Sequence, residues 1–295
     1  MKLFSAPPLS QFAKPSDKAA PAAPAAPRAP SLLPEAPSAP RLVPISRLAQ
    51  GGRWRVEAMR AYSEPCLLWF TRGQGRITLG GTTRGYGPHN AIFIPPGVMH
   101  GFEVGQQTHG TAVFFGRGSD VTLPHAAQHL RIRESAPQTE LSGLIEAVQR
   151  ELDSNRAGAD RAARHYLGLL GVWLERQTAV QQPEVRPAES ARRLVARYSA
   201  LLEREFRSGH GVADYAAQLG VTATHLTRSC RTSCGRAASD LLQDRRLYEA
   251  RRLLSETRAP VKQISETLGY TSPGYFSRAF HAKTGKTPSE FRRGG

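Results

Sequence analysis

Three things are scarce in this chain, and each scarcity narrows its class. Cysteine occurs only three times, at Cys66, Cys230 and Cys234. That is too few and too scattered for a disulfide framework, and it fits a reducing compartment. Cys230 and Cys234 share one helical face, but no further Cys or close His completes a zinc set. The pair therefore reads as buried small hydrophobes ahead of a redox or metal role. Long apolar runs are missing. None approaches the ~20 residues of a membrane span, and the N-terminal apolar stretch is too short and too broken by Pro for a secretory signal. Acidic residues are outnumbered, 24 against 40 basic, for a formal charge of +16. Such a balance favours nucleic acid or an anionic membrane as partner; a solvated basic surface or a coding bias toward Arg and Ala is the plainer account. From Val195 onward the count is 17 against 9, so charge alone does not locate a site.

What is present changes character along the chain. Residues 1 to 44 are dominated by Pro and Ala. Pro blocks helix interiors and sheet ladders, and few bulky apolar groups offset the entropy of ordering. A disordered tail, partly polyproline II, is expected. From Ile45 to Phe115 short apolar runs alternate with Gly and Pro. Cys66 to Phe70, Arg76 to Leu79, Ala91 to Ile94 and Thr111 to Phe115 read as strands, with turns at Gly73-Gln74-Gly75, Gly80-Gly81 and Pro95-Pro96-Gly97. This punctuation suggests a small β-barrel or jelly roll. Ile94-Pro95-Pro96-Gly97-Val98-Met99-His100 resembles the second half of a cupin signature, in which Pro-x-Gly turns the chain and the His points into the barrel. Metal-dependent cupins also need two closely spaced His and a carboxylate, but Leu67 to Leu79 contains no His. His89 and His100 lack a clear carboxylate companion, so a metal triad is not expected.

Residues 137 to 179 turn helical. Leu141, Leu144, Ile145, Val148 and Leu152, then Leu167, Leu170, Val172 and Leu174, form an apolar stripe broken at 153–158 into two helices. Gln181 to Glu189 is polar and Pro-bearing and reads as a linker. Ala191 to Phe206 follows as a helix with Leu194, Tyr198, Leu201, Leu202 and Phe206 inward.

The last ninety residues hold an internal repeat. In the second copy a short helix ends at Leu268, the chain turns on Gly269, and Ser272-Pro273 opens another helix with a cap and a Pro at its first position. Phe276 and Phe280 face inward and Ser277 and Arg278 outward. Thr287-Pro288-Ser289-Glu290 is a capping box. The first copy precedes it by 49 residues at Leu219-Gly220, and by 50 past the turn: Thr222 with Ser272, Leu226 with Phe276, Arg228 with Arg278, Gly235 with Gly285. Between the copies, Ala237 to Thr257 carries Leu241, Leu242, Leu247, Ala250, Leu253 and Leu254 at helical spacing. About 20 helical residues span roughly 30 Å, close to the ~34 Å of one DNA turn. The expectation is two helix-turn-helix units held on one strut.

The motifs Leu219-Gly220-Val221-Thr222, His225-Leu226-Thr227-Arg228, Arg246 with Ala250 and Leu253-Leu254, Tyr275-Phe276-Ser277-Arg278-Ala279-Phe280, and Gly285 to Arg292 resemble the DNA-binding domain of the AraC/XylS family of bacterial transcription regulators. The second unit fits the pattern closely; the first departs from it, with Cys230 where the family usually has Phe. The resemblance implies an N-terminal barrel that holds a small effector, and a cytoplasmic regulator acting on the nucleoid. The expected architecture is α+β: the tail over 1–44, a cupin-like jelly-roll barrel with its helical pair over 45–180, a linker at 181–190, and an all-α double helix-turn-helix domain over 191–295.

Candidate base contacts are Ala223, Thr224, Thr227 and Arg228 on the first reading helix, and Pro273, Gly274, Ser277 and Arg278 on the second. Arg bonds guanine O6 and N7 bidentately. Candidate phosphate contacts are His225, Arg231, Lys283, Lys286 and the helix start at Thr287. Trp69, Phe93 and His100 are the candidate effector pocket. Expected partners are double-stranded DNA, a small effector, RNA polymerase in the case of an activator, and a second copy paired through the helical pair; no cofactor, metal, membrane or enzymatic activity is expected. The competing readings are a ligand-independent regulator and a metal-dependent cupin enzyme fused to a DNA-binding domain.

Overall fold

The computed structural model describes residues 39–180 and 189–294. The expected tail lies outside them as far as residue 38, and the expected linker over 181–188. The N-terminal part runs β1 (Arg41–Pro44), α1 (Ile45–Leu48), α2 (Trp54–Glu57), β2 (Cys66–Arg72), β3 (Gly75–Leu79), β4 (Thr82–Tyr86), β5 (Asn90–Ile94), β6 (His100–Phe102), β7 (His109–Phe114), β8 (Gln128–Arg131), α3 (Ser135–Leu152) and α4 (Ala159–Val180). Arg41–Pro44 corrects the tail boundary. It pairs antiparallel with β7, Leu42 opposite Val113, an edge position where Pro44 costs no inner ladder bond.

The strands form a five-stranded sheet, β1-β7-β2-β5-β8, and a three-stranded sheet, β4-β3-β6. Every pairing is antiparallel. The two sheets enclose a core of Cys66, Leu68, Phe70, Ile77, Tyr86, Ile92, Ile94, Phe102, Ala112 and Phe114, with Phe70 stacked on Tyr86 at 4.1 Å. The opposite face of the large sheet, Leu67, Trp69, Ala91, Phe93 and Val113, lies under Leu141, Ile145, Val148, Leu167, Leu170 and Leu174 of α3 and α4. β2 is thus buried on both faces, which is why its sequence reads as an unbroken apolar run. Val172, expected in the α4 stripe, is 41% exposed, as is Leu169 at 50%; the inward face is carried by Leu167, Leu170 and Leu174.

The C-terminal part is all helical: α5 (Glu189–Glu205), α6 (Val212–Gln218), α7 (Ala223–Cys234), α8 (Ala238–Glu256), α9 (Val261–Thr267), α10 (Pro273–Thr284) and α11 (Pro288–Arg293). One core joins Tyr198 and Leu202 of α5, Leu226 of α7, Leu241, Leu253 and Leu254 of α8, Ile264 of α9, and Phe276 and Phe280 of α10. Arg245 of α8 is 5% exposed and Glu249 is fully buried. Arg245 pairs with Glu203 at 2.6 Å and with Glu249 at 3.2 Å, and Arg207 and Arg252 close on Glu249 as well. Burial alone would raise the Glu249 carboxyl; Arg245, Arg252 and Arg207 together hold it at about 2.

The sheet region docks on the helical region. Met59 and Met99 belong to the helical core, and the Met59 N–H donates to Asp244 of α8 at 2.9 Å. Trp54 sets its ring edge-on against Tyr248 and Phe291, at 5.7 and 6.1 Å. Arg55 pairs with Glu256 at 3.1 Å. The β3–β4 hairpin turns on Gly80 and Gly81, both at positive φ, and a Cβ at Gly81 would stand 2.4 Å from Val195 of α5. Glycine there permits both the turn and the approach.

Candidate nucleic-acid interface

The two reading helices are built alike. α6 and α9 are seven residues each, and α7 and α10 twelve each. Thr222 caps α7 by accepting from the His225 N–H at 3.1 Å, and Ser272 caps α10 by accepting from the Tyr275 N–H at 3.2 Å. A serine or threonine oxygen at this position satisfies a donor the helix cannot. Gly235 and Gly285 end the two helices at φ 70°, the left-handed cap that glycine adopts without cost. Leu226 and Cys230 face the core on α7 as Phe276 and Phe280 do on α10. The smaller Cys230 shares its core with Tyr198 and Tyr215, edge to face at 5.7 Å, so aromatic volume comes from α5 and α6 instead.

The outward faces carry the candidates. Arg228 and Arg278 are exposed, and among the described residues neither guanidinium has an ion-pair or hydrogen-bond partner. Ala223, Thr224, Thr227, Arg228 and Arg231 converge on one groove of about 560 Å³, completed by Val212, Thr232 and Ser239. On α10 Gly274 and Arg278 are exposed, and Pro273 and Ser277 half-buried. His225, Lys283 and Lys286 are exposed. No Asp or Glu occurs from Tyr215 to Ser239 or from Thr267 to Ser289, the two stretches that hold the reading helices. Within these stretches the side chains that carry charge are basic, and each helix start adds backbone N–H groups suited to an anion.

Thr287 opens α11 with a capping box. Its N–H donates to the Glu290 carboxylate at 2.7 Å and its hydroxyl accepts from the Glu290 N–H at 3.3 Å. The capping box uses the Thr287 N–H and one hydroxyl lone pair and sets a carboxylate at this helix start, while the hydroxyl proton stays free to donate. Two further positions are exposed on α10 and join the candidates: Tyr275, 55% exposed, and His281. They stand fifty residues beyond His225 and Arg231, so carrying the repeat offset through every position of the first helix would have found them.

The candidate effector pocket is also corrected. Trp69 and Phe93 face α3 and α4, with Trp69 Nε1 donating to the Ser142 hydroxyl at 3.3 Å. His100 lies toward the other side, its ring 4.5 Å from Tyr62. The three do not line one space.

Two outward helices in a tandem helix-turn-helix scaffold define a class of architecture, the double helix-turn-helix domain. A helix-turn-helix domain model matches residues 215–294. The arabinose operon regulatory protein of Escherichia coli is 29% identical over 121 residues, 41% of either chain, so that alignment spans under half of the relative's length. Its Salmonella typhimurium counterpart is 25% identical over 76% of this chain and 81% of its own. Among solved structures, the C-terminal domain of AraT, a response regulator from Geobacillus stearothermophilus, is 27% identical over 38% of this chain and 89% of that one, with a TM-score of 0.33. Apo ToxT from Vibrio cholerae covers 86% of this chain and 96% of its own at 11% identity and a TM-score of 0.39. Over its C-terminal domain the chain is thus similar to AraC-type transcription regulators.

Proposed function

We propose that this protein is a sequence-specific regulator that reads two successive major grooves and is controlled by a small effector in its N-terminal domain. The supporting observation is the pair of exposed arginines, Arg228 and Arg278, at matched positions of two equal helices in stretches of sequence without Asp or Glu. In this reading Arg228 and Arg278 bond guanine, and Thr224 and Thr227 meet thymine methyls. Pro273, Gly274 and Ser277 let the second helix approach closely with less direct readout. His225, Arg231, Lys283 and Lys286 hold the phosphates. α8, at 19 residues or about 28 Å, sets the separation.

The two sheets correspond in this reading to a cupin-like jelly-roll domain over 45–180, extended by β1 at Arg41–Pro44, and the helices from α5 onward to the domain over 191–295. The protein works in the cytoplasm, on the chromosome, with RNA polymerase as partner if it activates. A second copy pairs through Leu169 and Val172 of α4; sedimentation should then show a dimer that Leu169→Glu with Val172→Glu converts to monomer.

Genome-wide mapping of sites bound by the full chain, followed by binding titrations on one site, tests the reader. Arg228→Ala and Arg278→Ala should each cost about 1–3 kcal/mol at the specific site and leave salt-dependent binding to random DNA nearly intact. Equal loss on specific and random DNA would leave only a generic binder.

A further inference from the structure

The segment joining α2 to β2 runs beside β6. Arg60 and His100 form an isolated antiparallel bridge, exchanging N–H···O bonds of 2.9 and 2.7 Å. Residues opposed in this way send their side chains to the same side.

Arg60 is 1% exposed. Its guanidinium donates to the carbonyls of Val56 and Ala58 and to the Tyr62 hydroxyl at 3.0 Å. It lies 5.2 and 5.3 Å from the Tyr62 and Phe102 rings. None of these groups is an anion, and among the described residues no carboxylate pairs with Arg60. Glu64, close in sequence, is engaged by Arg41 at 2.7 Å. A buried charge without a counter-charge is among the costliest arrangements a fold can hold.

His100 is fully buried. Its Nδ1 stands 2.9 Å from the Val98 carbonyl, so that nitrogen carries the proton and Nε2 offers a lone pair. Nε2 is buried and has no partner. Burial, reinforced by the Arg60 charge, holds the ring well below its usual pKa and keeps it neutral. One bridge thus sets a cation lacking its anion beside an acceptor lacking its donor.

We propose that this pair is a recognition site for a compact hydroxy-carboxylate, its carboxylate on the Arg60 guanidinium and its hydroxyl donating to His100 Nε2. The proposal deepens the effector reading and rests on it. Its place in the fold suits a sensor: Met59, next to Arg60, is bonded to Asp244 of α8, and Met99, next to His100, sits in the helical core. Occupancy would be felt at once by the strut that carries both readers.

The probes are glycolate and lactate, with acetate and propionate as carboxylates lacking the hydroxyl and propylene glycol as a neutral control. Thermal unfolding of the full chain is followed at saturating probe. Glycolate and lactate should raise Tm by roughly 2–4 °C, acetate and propionate by less, and propylene glycol not at all. Arg60→Met should abolish every carboxylate effect, and His100→Phe should erase only the preference for the hydroxylated probes. Should either variant fail to fold, the wild-type His100 Nε2 nitrogen resonance serves instead, shifting with lactate and not with propionate. No Tm shift with any carboxylate and an unmoved resonance, equal shifts in Arg60→Met, or equal shifts with propylene glycol would overturn the proposal. An ordered water bridging the two groups and undisturbed by lactate would do the same. DNA affinity measured without probe stands apart, so loss of this site and loss of the reader are separable results.

Discussion

Gly220 and Gly269 occupy the same turn in the two units and have the same φ of 72°, yet they are not equivalent. A Cβ at Gly220 would meet nothing within 4 Å, whereas one at Gly269 would fall 2.4 Å from the Arg207 carbonyl and from the Gly209 nitrogen. Both positions need the left-handed conformation, which costs an alanine about 1–2 kcal/mol. Gly220→Ala should lose about that much in denaturant unfolding. Gly269→Ala should lose at least about twice as much, because the opposing atoms are backbone and cannot turn aside. Equal losses would mean that the second turn does not pack on the loop after α5 as described. Sequence reasoning matched these glycines but had no means of ranking them, since the crowding arises from a segment sixty residues away.

Among the elements, α8 carries the main electrostatic commitment. Glu249 has a folded pKa of about 2, below its unfolded value. A depressed carboxylate contributes stability that is complete above the unfolded pKa and is lost as pH falls through the folded one. The contribution, on the order of 3 kcal/mol, should therefore fade between about pH 4.5 and 2. Glu249→Gln should flatten the acid limb of a stability–pH curve and lower stability at pH 7, because Arg245 is left buried beside a neutral amide. The elements themselves were largely legible. Ser272-Pro273, the Phe276 and Phe280 spacing and the Thr287 to Glu290 box each mark a feature that local chemistry fixes, and each sits where it was expected. The pocket residues were not legible. Trp69 and Phe93 lie on strands buried on both faces, and without alternation no pattern tells which face is which. Arg41 to Pro44 reads as tail because Pro40 precedes it and Pro44 ends it, although an edge strand accepts proline.

For the whole molecule, the contact between sheets and helices is what the sequence conceals most completely. Trp54 and Tyr248 are nearly two hundred positions apart, and neither is marked by any motif. Edge-to-face pairs contribute roughly 0.5–1.5 kcal/mol each, and Trp54 makes two of them while Arg251 lies 5.6 Å over its ring. Trp54→Ala should lower stability by about 1–3 kcal/mol, and a double-mutant cycle with Tyr248→Ala should return a coupling of about 1 kcal/mol. Additive losses would mean that the rings do not meet.

The α8 helix also dictates which insertions evolution can accept. One residue added to its middle would advance α10 by about 1.5 Å and swing it through about 100° relative to α7. It would also break the phase that places Asp244, Tyr248 and Arg251 under the N-terminal region. On the proposed reading, the length of this rod would set the spacing of the two stretches of DNA that the chain contacts.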